Sequence, residues 1–137
     1  MSPDVVTLVF PARTDYLILA RLALAGIARE VPIEPGTLAD LKLAVTEACG
    51  NAVRHANPTD DGHVSVRYVV DDEAIEIRVE DNGPGMQTPP AATFPDAELS
   101  ESGMGLAIIH ALVDEVDISP ATTGSGTVVR MRRRRAG

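Results

Sequence analysis

"AIEIRVEDNGPG", residues 74–85, runs from an alternating segment into an acid, an asparagine and two glycines around a proline. Ile75, Ile77 and Val79 alternate with Glu76, Arg78 and Glu80, the period of a strand with one buried face. The segment after that strand has two readings. Asn82, Gly83, Pro84 and Gly85 make a surface turn readily, because glycine supplies a positive φ and proline a fixed one. The same glycines also leave the backbone open to close approach by a ligand.

Outward from this stretch, the chain alternates strands and helices. "HVSVRYVV" lies just before it, joined through Asp71-Asp72, with Val64, Val66, Tyr68 and Val70 on one face. Near the N-terminus "VVTLVF" reads as a strand ending at Pro11, and "TDYLILARLALAGIARE" as a helix with Thr14 or Asp15 as N-cap. After the turn "VPIEPG", Thr37 is placed to cap a second helix that runs until Asn57-Pro58. Its apolar stripe is Leu38, Leu41, Val45, Cys49 and Ala52. Residues 86–102 hold three prolines and little periodicity, which suggests a long mobile lid or binding loop. "MGLAIIHALVDE" resumes as a helix, followed by strands in "VDIS" and "GTVVRMR". The expected architecture is one α+β domain over residues 1–137, a two-layer α/β sandwich whose mostly antiparallel sheet carries helices on one face.

Composition narrows the function. Aromatic residues make up only 3% of the 137, so the core must be aliphatic. The single cysteine, Cys49, excludes an intrachain disulfide and fits a reducing interior. No membrane span or signal-peptide pattern is present, so a soluble, cytoplasmic protein is expected. Arg130, Arg132, Arg133, Arg134 and Arg135 are five of the twelve basic residues; the preceding body sets seven basic residues against twenty acidic ones. An acidic body argues against direct nucleic-acid binding. The Arg-rich end, residues 132–137, reads as a solvated tail, with an anion or acidic partner as the other use.

The chemistry gathers in two places. Glu47, Asn51 and His55 recur every four residues, so they share one helix stripe. An amide oxygen suits Mg²⁺, and a carboxylate one turn away suits orienting or deprotonating a hydroxyl. Such a stripe standing alone is more often a solvated face. Gly103-Met104-Gly105 precedes a helix directly, leaving room for a phosphate at exposed N–H groups, or serving only as a hinge. No Walker A loop and no G-x-G-x-x-G fingerprint is present.

"TEACGNAVRHA", "DNGPGM", "SGMGLAII" and "GSGTVV", in this order, resemble the N, G1, G2 and G3 boxes of the GHKL ATP-binding superfamily. Within it the chain is most similar to the anti-sigma-factor serine/threonine kinases of bacterial partner-switching systems. The resemblance implies a Bergerat-type ATP-binding fold, ATP and Mg²⁺ as cofactors, and a likeness over essentially the whole chain. It implies Glu47 as general base, Asn51 as Mg²⁺ ligand, and Asp81 as the reader of the adenine amino group, with Thr127 beside it. Gly83, Gly85 and Met86 would line the nucleotide. Gly103, Met104, Gly105 and Leu106 would hold phosphates, and Arg21 would touch a sigma factor. His55 stands as either a nucleotide-site or a structural residue. The implied partners are a sigma factor, a STAS-domain anti-anti-sigma factor and a second copy of the chain. A non-catalytic ATP-binding module that sequesters a partner is the alternative, and a histidine-kinase-like catalytic domain a further one.

Overall fold

In the computed structural model, residues 3–55, 62–82, 104–121 and 126–135 are described. In order they form β1 (Asp4–Pro11), a 3-10 turn (Thr14–Tyr16), α1 (Leu17–Glu30), α2 (Pro35–His55), β2 (His63–Val70), β3 (Ala74–Asp81), α3 (Met104–Leu112), β4 (Glu115–Pro120) and β5 (Thr127–Arg134). The strands make one sheet in the order β1-β2-β3-β5-β4, each neighbouring pair antiparallel. Helices cover one face, giving the expected two-layer α+β architecture.

Alternation along the strands decides which face is covered. Val64, Val66, Tyr68 and Val70 of β2 and Ile75, Ile77 and Val79 of β3 are buried, and the register sets Tyr68 opposite Ile77 and Val66 opposite Val79. From the helices, Ala20 and Leu24, then Leu41, Ala44, Val45, Ala48, Cys49 and Ala52, then Ile109 complete the core. Alanines at 44, 48 and 52 leave little standing between the α2 backbone and the sheet, so α2 packs on β3. Tyr68 sits in the middle, and its hydroxyl donates to the Ala20 carbonyl at 2.7 Å, tying β2 to α1. Burial raises its phenol pKa, which keeps that proton in place.

Four expectations need correction. Neither Thr14 nor Asp15 caps α1: these residues form the 3-10 turn, the helix proper begins at Leu17, and the Asp15 carboxylate accepts from Arg13 at 2.8 Å instead. Thr37 does not cap α2, which starts two residues earlier at Pro35, where a fixed φ suits a first helical position. The α3 helix stops at Leu112 because Glu115 is drawn into β4 opposite Arg132. The Arg-rich end is not a solvated tail, since Arg132, Arg133 and Arg134 belong to β5. There Arg130 bonds Glu76 at 2.6 Å and Asp117 at 2.7 Å on the open face, which raises its pKa. Arg133, on the opposite face beyond Met131, reaches the helices: it donates to Asp40 at 2.9 Å and to the Leu112 carbonyl. Arg135 donates to the carbonyls of Asp71 at 2.9 Å and Pro32 at 3.1 Å. The expected stop at Asn57-Pro58 and the lid at 86–102 lie outside the described residues.

At the β4–β5 connection the Ala121 N–H donates to the Gly126 carbonyl at 3.1 Å, and Gly126 has φ of 126°. A Cβ there would stand 2.1 Å from the Asp81 carbonyl oxygen, so β5 starts against the end of β3 only because residue 126 has no side chain. Gly26, exposed on α1, has nothing within 4 Å of a Cβ position. Urea unfolding should therefore separate the two: Gly26→Ala gains about 0.5–1 kcal/mol from helix propensity, whereas Gly126→Ala loses about 2 kcal/mol or more to backbone strain and the clash. Burial also pushes the Cys49 thiol up to about 12. Iodoacetamide at pH 8 should leave it unmodified in native protein and alkylate it once urea has unfolded the chain.

Candidate nucleotide site

The second half of α2 supplies the first part of the site. Asn51 is buried, Glu47 half-buried and His55 exposed, so the stripe is covered most fully at its middle member. The cover is the start of α3. A Cβ at Gly105 would lie 3.3 Å from Asn51 Nδ2, 3.3 Å from Glu47 Oε2 and 3.6 Å from Asn51 Oδ1. The far end of α3 is held by Arg133, which donates to the Leu112 carbonyl while also binding Asp40 in the first half of α2. The two helices therefore run antiparallel, with the α3 N-terminus against Glu47 and Asn51. The first N–H groups of a helix have no partner within it, and the dipole there favours an anion. A carboxylate, an amide and a helix start thus face one another.

The second part lies at one end of the sheet. Asp81 closes β3 and is buried, as is Thr127 at the start of β5; Glu80 pairs with Val128, and Gly126 lets the backbones meet. Beside them the His63 N–H donates to Asn82 Oδ1 at 3.0 Å. Asp81 is engaged in the folded chain, and no buried side-chain nitrogen or oxygen among the described residues lacks a hydrogen-bond partner. Leu106 packs partly buried against the core. Met104 opens α3, while Gly83, Gly85, Met86 and Gly103 lie outside the described residues. Arg21 is exposed on α1, flanked by Ile18 and Leu22, themselves more than half exposed.

The donor set fits a hard divalent cation. Asn51 Oδ1 and the Glu47 carboxylate are oxygens, which Mg²⁺ prefers. Among the described residues no three His, Cys, Asp or Glu side chains gather as a metal cluster. The described residues would supply one or two oxygens, and phosphates and water are the usual further ligands of Mg²⁺ with a nucleotide. A shallow depression at the other end of the sheet, lined by Pro32, Ile33, Glu34, Asp72 and Arg135, offers no such pairing. No described helix is long and apolar enough to cross a membrane.

Three contributors are hard to see in the sequence. Arg54 donates from Nη2 to Asn51 Oδ1, a contact whose only sequence signal is the i, i+3 spacing. Gly126 is the second glycine of "GSGTVV", where the strand pattern alone gives no reason for it. Arg133 is hidden in a run of arginines.

Residues 10–133 match the histidine kinase-like ATPase domain family. The serine-protein kinase RsbW of Listeria monocytogenes serotype 4a is 37% identical over 124 residues, covering 84% of this chain and 79% of that one. The same-named kinases of Bacillus velezensis and Bacillus licheniformis are 35% and 36% identical, each covering 96% of this chain and 86% of their own. The crystal structure of the RsbU and RsbW domains of a Mycobacterium tuberculosis protein superposes with a TM-score of 0.65 at 22% identity, over 96% of this chain and 32% of that one. The chain belongs to the histidine kinase-like ATPase domain family, and within it to the RsbW-type serine-protein kinases.

Proposed function

We propose that this protein is an anti-sigma factor that also phosphorylates a serine or threonine of a STAS-domain anti-anti-sigma factor, using Mg-ATP. The observation that carries this reading is the meeting of Glu47, Asn51 and the α3 start at Gly105, supported by kinship to serine-protein kinases. In it Asp81 accepts from the adenine amino group and Thr127 stands beside it. The N–H groups around Gly105 and Leu106 bind phosphate oxygens. Asn51 would hold Mg²⁺, which neutralises charge on the phosphates when bound. Glu47 orients the acceptor hydroxyl and takes its proton. Phosphoryl transfer asks chiefly for positioning and charge stabilisation, and these groups supply both. Arg21, with Ile18 and Leu22, is the candidate contact for the sigma factor, and a homodimer is the proposed assembly.

The test is transfer of labelled phosphate from Mg-ATP to the cognate STAS protein. Glu47→Gln should lower the rate by roughly 10²-fold or more, the scale of general-base catalysis, while ATP still binds. Asp81→Asn should weaken ATP binding by about tenfold or more, the loss of a hydrogen bond to a charged group, with its unfolding midpoint little changed. A wild-type protein that binds ATP yet labels no STAS partner, and captures no sigma factor with or without ATP, would sink the proposal.

A further inference from the structure

Asn51 Oδ1 is occupied by its own chain. Arg54, one turn on, donates Nη2 to it. The guanidinium lies back along the helix over Gly50, where a Cβ would meet Arg54 Nη1 at 3.7 Å, an ordinary packing contact. Asn51 is buried, whereas Arg54 is exposed in the last turn of α2 and can swing away without unpacking the core.

We propose that Arg54 is a built-in counter-cation that holds the Asn51 oxygen in nucleotide-free protein and must yield it to Mg²⁺. The inference rests on the reading of Asn51 as the metal ligand. An amide oxygen has two lone pairs, but a guanidinium is always charged and cannot accept a hydrogen bond. Mg²⁺ binds oxygen at about 2.0–2.1 Å, so both cations on one atom would repel at close range. Arg54 therefore leaves as the metal arrives, and phosphates entering with the metal give the released guanidinium an anionic partner. The consequence is ordered binding: free Mg²⁺ competes poorly with Arg54, while Mg²⁺ carried by a nucleotide displaces it. Arg54 is thus a positioning residue acting through Asn51.

The experiment titrates Mg²⁺ into protein and ATP, with ATP binding followed by calorimetry, for wild type, Arg54→Met and Arg54→Lys. Arg54→Met should reach half-maximal binding at several-fold lower Mg²⁺, and Arg54→Lys, which keeps the charge but loses the planar fork, should fall between. In metal-free protein without nucleotide, Arg54→Met should also shift the Asn51 side-chain amide resonance. An unchanged Mg²⁺ requirement in Arg54→Met overturns the proposal while leaving the kinase reading intact. A raised requirement overturns it too, since Arg54 would then aid the bound nucleotide more than it obstructs the metal. Absence of ATP binding by wild type at every Mg²⁺ concentration overturns the nucleotide reading and this inference with it.

Discussion

Two helices meet at position 105 with barely room for a Cβ, and the side chains it would press are Glu47 and Asn51. That one contact brings the start of α3, whose first N–H groups have no partner within the helix, onto the carboxylate–amide pair of the α2 stripe. The opposite end of the same helix pair is clamped by Arg133, which spans Asp40 on α2 and the last carbonyl of α3. Because α3 is only nine residues long, too short to be stable alone, its direction depends on being held at both ends.

The sheet is subject to a matching constraint. β5 begins against the end of β3, and Gly126 makes the approach possible. Asp81 and Thr127, both buried, are the residues brought together there. Fold and site are therefore one problem: the glycines that permit close packing at 105 and 126 stand beside the polar groups that ligand chemistry would use. Family membership agrees, since the matched region, residues 10–133, spans all of these residues.

Most of the fold is legible in the sequence because the strands alternate cleanly. Val64 to Val70 and Ile75 to Val79 announce their buried faces, and the stripe from Leu41 to Ala52 announces that of α2. Helix starts are less legible: Thr14, Asp15 and Thr37 all carry capping chemistry, yet a 3-10 turn and Pro35 set the actual boundaries. The arginines mislead most, because a charged run looks like a solvated end. Pairing with β3 and β4 and ion pairs to Glu76, Asp117 and Asp40 draw them into the sheet instead. Glu47, Asn51, Asp81 and Thr127 are readable from their boxes, but Arg54 is not, since its role depends on the rotamer that carries Nη2 to Asn51 Oδ1.

On the proposed reading, nucleotide binds where α2, α3 and the ends of β3 and β5 converge. A backbone amide NMR titration with Mg-ATP addresses it directly, residue by residue. The large shifts are predicted to fall on Glu47, Asn51, Asp81, Gly105, Leu106 and Thr127, with Ile33, Glu34, Asp72 and Arg135 at the far end of the sheet unmoved. Shifts centred on that far end, or no shift at all at saturating Mg-ATP, would contradict it.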